Sequence, residues 1–295
     1  DVGPPSTLGF SRINSYVKDL FEIEAESAYF VGVTSPTGTA RRVVEGLTTL
    51  KDKALGAGTD FLIINTDGWI EGEDAIEYKT SLVNQIRPDV IVGIQHEDEL
   101  TPILTGLQRT KTVKVECSPQ AHRRNREKRK ILRELSYTKY LKNAKVQSFP
   151  LKWIHVKGAV LGAGTAPIPE RAEAIRNLLK RDPIHCEETP GTLFVVLRKG
   201  QWVDEAHVKS AEERLGKRLK VIAESEEEGL LVALQNELDE FLGIGVLCGV
   251  DYKRKAIKVY TPVSEDVAIV RFGQIKLDRK GRETGISTVY ADYAV

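Results

Sequence analysis

Three short segments carry residue types and spacings that could do chemistry. The first is Gly32-Val33-Thr34-Ser35-Pro36-Thr37-Gly38-Thr39, which leaves an apolar run and enters a helical pattern. Backbone N–H groups at such a helix start can hold an anion, and Thr37 and Thr39 can add hydroxyl donors. The segment is one residue too long for a GxxxxGK[ST] phosphate loop and lacks the Lys that neutralises terminal phosphates. Read plainly, it is a Pro/Gly turn with a Thr cap. The second is Asn65-Thr66-Asp67-Gly68-Trp69, which closes another apolar run. Asp67 offers a carboxylate and Trp69 a flat platform, and a Trp near cations is what stacking on an unpaired base requires. A half-buried Trp covering a tight turn is the plain alternative. The third spans 122–145 and holds ten Lys/Arg against two Glu. Arg126, Arg129, Lys130 and Arg133 share one helical face, and Ile131, Leu132 and Leu135 lie largely on another. Such a density of cations repels itself without an anionic partner. Nucleic-acid backbone is one such partner, and a transferring phosphoryl group under a mobile lid is the other.

These segments need a scaffold. Residues 27–34 (SAYFVGVT), 60–65 (DFLIIN), 89–95 (DVIVGIQ) and 112–117 (TVKVEC) are nearly continuous apolar runs rich in Val and Ile. Such runs suit parallel strands buried on both faces. Helical periodicity lies between them, at about 39–55, 74–86 and 98–107. Alternating β and α of this kind predicts a doubly wound sheet, with ligands at the carboxyl ends of its strands. The segments after Thr34, Asn65 and Gln95 are therefore where chemistry is expected. The second half mixes strands at 193–197 and 230–234 with a hairpin over 242–260 that turns near 252–255. Helices are expected at 167–181 and 204–215. This is read as a separate α+β domain, with the boundary near 147–151.

The 295 residues fit two domains at roughly 100–200 residues each. The balance of 43 Lys+Arg against 42 Asp+Glu hides the basic helix, so net charge is a poor guide to partners here. No apolar run approaches the ~20 residues of a membrane helix, and three scattered cysteines suggest neither a disulfide framework nor a metal site. A reducing, cytoplasmic setting is the default, and the Lys/Glu-rich, Gln-poor composition fits a thermophile. The chain starts at Asp1 and contains no Met; the expectation is a fragment or a sequence with residues missing. Three decoys are read as structural: the glycine run 158–164, His96-Glu97-Asp98-Glu99, and His185-Cys186.

The opening Asp1-Val2-Gly3-Pro4-Pro5-Ser6-Thr7-Leu8-Gly9 is similar to the segment after the nucleotide-binding loop in the polynucleotide 5′-hydroxyl kinase family. These are RNA kinases that include the kinase subunit of eukaryotic pre-mRNA cleavage complexes, ribosomal-RNA-processing relatives and archaeal homologues. Residues 30–38, the Asn65–Trp69 element followed by Gly72, and the Arg-rich helix after Cys117 stand in the family's order and approximate spacing. Together they span about 1–145, and Asn-Thr-x-Gly-Trp is the most specific of them. The second half resembles the carboxy-terminal domain of the archaeal and ribosomal branch on weaker motifs.

The resemblance implies an α/β, P-loop NTPase-like parallel sheet with helices on both faces over 1–147, including a basic lid helix at 122–145. An α+β domain would fill 148–295. It implies an archaeal-type kinase that moves the γ-phosphate of ATP (or GTP), with Mg²⁺, to the 5′-hydroxyl of RNA or DNA. RNA-processing proteins would be partners, and no membrane is involved. Carried over by position, Thr37, Gly38 and Thr39 form a phosphate clasp. Trp69 stacks on the acceptor's terminal nucleotides, with Thr66, Asp67, Arg123 and Lys130 as further nucleic-acid contacts. Arg126, Arg129 and Arg133 are the lid candidates. The family's Gly-Lys-Ser/Thr loop and its Asp-x-Asp-x-Gly-Gln stretch are not in this sequence. Asp1 is the carboxylate base if Asp1-Val2-Gly3 ends that stretch, and a loop acid if it belongs to the segment before the two prolines. The reading is a kinase whose nucleotide-binding strand and loop are absent from these residues. The alternative is a non-catalytic nucleic-acid-binding or scaffold subunit on the same fold.

Overall fold

The computed structural model describes residues 2–107, 110–121 and 124–287. The chain divides into two compact units, one through Leu132 and the other from Arg133.

In the first unit, β1 (Thr7–Phe10) and β2 (Ser27–Phe30) pair antiparallel, with Thr7 opposite Phe30. Helix α1 (Ala40–Gly56) lays Val43, Gly46, Leu50 and Ala54 along one buried stripe, the i, i+3/i+4 spacing of a core-facing helix. Helix α2 (Glu73–Ile86) starts at Gly72, whose φ of 90° favours glycine, and carries Glu73 and Asp74 in its first turn, where the helix dipole favours anions. Val31, Val43, Tyr78, Leu82 and Ile86 form the core, with Leu8, Tyr29, Ile64 and Trp69 packed on it. Beyond it, β3 (Val90–Gln95) runs parallel to β4 (Lys111–Glu116) through the single-turn helix α3 (Thr101–Thr105).

Three expectations are corrected here. Residues 27–34 form only a short antiparallel strand, because β1 turns back beside it. Residues 60–65 form no strand, and Phe61 and Ile63 are 89% and 90% exposed. Strands β3 and β4 exist as expected, but Val92, Ile94, Val113 and Val115 are exposed rather than covered on both faces. A strand forms only when a neighbour offers its ladder.

Helix α4 (Arg126–Tyr140) follows, with Asn125 accepting the Lys128 N–H at 2.8 Å as its cap, and the division between units falls within it. The second unit holds β5 (Lys145–Pro150), β6 (His155–Lys157), α5 (Pro169–Leu179), β7 (His185–Glu188), β8 (Thr192–Leu197), α6 (Glu205–Leu215), β9 (Arg218–Ala223), β10 (Leu230–Gln235), β11 (Phe241–Asp251), β12 (Ala256–Thr261), β13 (Ile269–Leu277) and β14 (Glu283–Ile286). Its larger sheet runs β14-β13-β10-β11-β12-β5, with β6 parallel on β13. The smaller runs β7-β8-β9. Strand β8 shows why its sequence is apolar throughout: Leu193, Val195 and Leu197 meet α5 and α6, while Phe194 and Val196 meet the larger sheet. The hairpin and both helices expected in this half are present. The boundary expected near 147–151 falls in and just after β5, which is the edge strand of the larger sheet, whereas the division between units lies at 132–133.

Candidate functional site

The turn before α1 and the loop before α2 bring the first two candidate segments to one groove. Thr37 and Gly38 lie at the start of α1, and both are exposed. The Thr37 hydroxyl sits 3.0 Å from that of Ser35. Thr39 is buried, and its hydroxyl is 3.3 Å from the Ser35 and Pro36 carbonyls, so it closes its own turn. Of the three clasp residues, Thr37 and Gly38 therefore face outward. A groove of about 700 Å³ between α1 and α2 is lined by Thr37, Gly38 and Trp69, and also by Arg41, Asp74 and Glu77. Arg41 is already paired with Glu45 at 3.1 Å. The flank is thus acidic on balance and suits hydroxyl or amino donors better than phosphate.

Trp69 stacks on Tyr78 with ring centres 5.6 Å apart and planes inclined at 24°. Asp67 does not stand free beside it. Its carboxylate accepts from the Tyr78 hydroxyl at 2.6 Å and from the Trp69 N–H at 3.0 Å. Lys79 donates to the Asp67 carbonyl at 2.7 Å and pairs with its carboxylate at 3.2 Å. Burial holds the Lys79 ammonium below the ordinary lysine range against the pull of Asp67, and burial followed by Asp67 pushes the Tyr78 phenol well up. Thr66 is exposed at the same loop. Sequence reasoning missed Tyr78 and Lys79. The signal was there: Ala75, Tyr78, Lys79, Leu82 and Ile86 form the buried stripe of α2, and a lysine in such a stripe needs a partner.

On the basic helix, Arg126, Arg129 and Lys130 are exposed. Arg133 is not available in the same way. Its Nε and Nη2 donate to the two Glu283 oxygens at 2.6 and 2.9 Å, while Glu134 accepts the Glu283 N–H at 2.9 Å. Expected as a lid arginine, Arg133 is a bidentate anchor to β14. Asp1 and Arg123 lie outside the described residues.

The decoys resolve as structural. The Gly162 N–H donates to Glu187 at 2.7 Å, and a Cβ at Gly158 would come within 2.8 Å of the Phe272 carbonyl, so that run is packed backbone. His185 is held 2.7 Å from Glu187, and burial pushes the Cys186 thiol up to about 11. The N–H groups of His96 and Glu97 both donate to Glu99 at 2.9 Å. Among the described residues no cluster of metal-ligating side chains occurs, and no helix is long and apolar enough to cross a membrane.

Residues 1–143 match the family model described as mRNA cleavage and polyadenylation factor CLP1 P-loop. A curated relative from Pyrococcus furiosus, a polyribonucleotide 5′-hydroxyl-kinase, is 30% identical over 287 residues, covering 96% of this chain and 78% of that protein. The chain belongs to the polyribonucleotide 5′-hydroxyl-kinase family. A kinase of the same name from Methanocaldococcus jannaschii is 25% identical over 289 residues, covering 96% of this chain and 77% of its own length. Two solved Clp1p structures, both with Pcf11p, share the fold at TM-scores of 0.50. One is the wild-type complex at 10% identity, and the other describes ATP loss in a point mutant at 8%. This chain covers 89% and 91% of itself in those matches, but 58% and 59% of the Clp1p chains.

The family is a nucleotide-binding one, and Thr37 offers the groove an exposed hydroxyl at the start of a 17-residue helix. The lysine and the Ser/Thr of a GxxxxGK[ST] loop are not in the sequence. A full triphosphate cradle or a Mg²⁺ site is therefore not supplied by the residues described.

Proposed function

We propose that this chain carries the acceptor side of an RNA 5′-hydroxyl kinase, which transfers the γ-phosphate of ATP to the 5′-hydroxyl end of RNA. The carrying observation is that one groove is lined both by an exposed helix start, Thr37–Gly38, and by the half-buried Trp69 ring. A terminal base stacked on Trp69 would gain about 1–3 kcal/mol. Asp74 and Glu77 along the flank would accept ribose hydroxyl or base amino donors and would keep the acceptor's own phosphates turned away. Phosphoryl transfer depends on positioning and on charge stabilisation, so a hydroxyl held near the α1 start is the arrangement this chemistry needs. Arg126 and Arg129 are the cations we assign to the transferring group, with Lys130 assigned to RNA backbone.

ATP as donor rests on the family, and Mg²⁺ is proposed with it as the usual charge-neutralising partner of the triphosphate. We further propose that the nucleotide-binding strand lies against residues 60–65 and the exposed faces of β3 and β4. Phe61 and Ile63 alternate with the half-buried Leu62 and Ile64, the period of a strand that lacks its neighbour. A protein partner in RNA processing is a further proposal, supported by Clp1p with Pcf11p.

The test is transfer of labelled phosphate from ATP to 5′-hydroxyl oligoribonucleotides by the full-length protein. Transfer is expected, and no transfer to RNA or DNA with any of several divalent metals would overturn the reading in favour of a nucleic-acid-binding scaffold.

A further inference from the structure

The loop that presents Trp69 is irregular backbone, and an indole on such a loop would sample many orientations unless something held it. Two side chains and one backbone N–H converge on the residue two positions before it, Asp67. The Asp67 carboxylate takes the Tyr78 hydroxyl at 2.6 Å and the Trp69 N–H at 3.0 Å, while Lys79 reaches both its carbonyl, at 2.7 Å, and its carboxylate, at 3.2 Å. Tyr78 acts twice, since its ring is also the surface on which the indole stacks. The Lys79 side chain is only 9% exposed and that of Asp67 is 31% exposed, so this is a partly desolvated ion pair with fixed geometry rather than a surface contact.

We propose that Tyr78 and Lys79 are positioning residues: through Asp67 they fix the loop and the plane of Trp69 so that the indole is preset for a terminal base. The inference rests on the reading of Trp69 as the acceptor platform. It also gives Asp67 a different task from direct contact with nucleic acid, because its hydrogen-bonding capacity is directed inward. A preset ring loses less conformational freedom when a base stacks on it, so the benefit belongs to acceptor binding and not to the chemical step.

The test uses the full-length protein with Trp153→Phe and Trp202→Phe, which leaves Trp69 as the only tryptophan in residues 1–295. Tyr78→Phe removes one oxygen and keeps the stacking ring, so it serves beside Lys79→Met, which removes a charge from a buried site. Each is expected to raise KM for a 5′-hydroxyl oligoribonucleotide about three- to tenfold, with kcat and the KM for ATP within twofold. Each is also expected to change Trp69 emission and its quenching by acrylamide. In a Trp69→Ala background Tyr78→Phe is expected to add nothing further to KM. If Trp69→Ala raises KM while Tyr78→Phe does not, or if their effects multiply, the positioning role is overturned and the platform stands. If Trp69→Ala leaves KM unchanged, the platform itself is overturned, and the positioning role with it.

Discussion

Two of the parallel strand pairs, β8–β9 and β3–β4, show opposite solutions to the same problem. Strand β8 is parallel to β9, and its apolar residues are covered on both faces, by α5 and α6 and by the larger sheet. Strand β3 is parallel to β4, yet Val92 and Ile94 are exposed, as are Val113 and Val115 opposite them. The open pair holds more Val and Ile than the covered pair, so Val/Ile content alone does not decide burial. What differs is whether neighbours exist to cover the faces. A run such as 60–65 has strand chemistry but, without a ladder partner, no strand. The first unit leaves apolar residues of β3, β4 and 60–65 exposed, whereas β8 of the second unit is covered on both faces.

Substitutions should separate the two regions by size of effect. The largest belongs to the covered strands: Leu234→Ala in β10, whose side chain is fully buried, is expected to cost about 2–5 kcal/mol in chemical denaturation. Ile94→Ala, on the open pair, should change stability by no more than about 0.5 kcal/mol in the same measurement. Similar losses at both sites would remove the contrast. Next in size is the anchor between α4 and β14. Glu283→Ala leaves the partly buried Arg133 unpaired and should cost about 1–2 kcal/mol by thermal or chemical unfolding. Arg129→Ala, which is exposed, should leave unfolding unchanged while lowering kcat about tenfold or more.

The smallest effect is a pH dependence in the second unit. Glu227 is 1% exposed, and its Oε2 is without a hydrogen-bond partner among the described residues. Burial raises its pKa above 4.5. The folded state therefore binds more protons than the unfolded one as pH rises from about 4.5, so this group's contribution to stability is present below that pH and lost above it. Glu227→Gln should raise the melting temperature at pH 7 and leave it nearly unchanged near pH 4; a parallel shift at both would contradict the assignment.

Much of this was legible in the chain. The helical periodicity at 39–55 marks α1, with Val43, Gly46, Leu50 and Ala54 as its buried stripe, and that at 204–215 marks α6, where Asp204 accepts the His207 N–H at 2.9 Å. The Thr37–Gly38 turn and Trp69 were readable as site candidates because each closes an apolar run. Their meeting at one groove was not, because it depends on the packing of α1 against α2. Nor could Arg133 be told from Arg126 and Arg129 by helical face, since its partner Glu283 lies far along the chain. Pairings between distant segments are what local periodicity does not encode.

The central claim is that the groove between Thr37 and Trp69 receives the RNA acceptor. It is tested most directly by steady-state kinetics of Trp69→Ala in the full-length protein, varying a 5′-hydroxyl oligoribonucleotide and ATP separately. The account predicts that KM for the oligonucleotide rises about tenfold, in line with a lost base–aromatic stack, while the KM for ATP stays within twofold. An unchanged oligonucleotide KM, or an ATP KM that rises with it, would contradict the account.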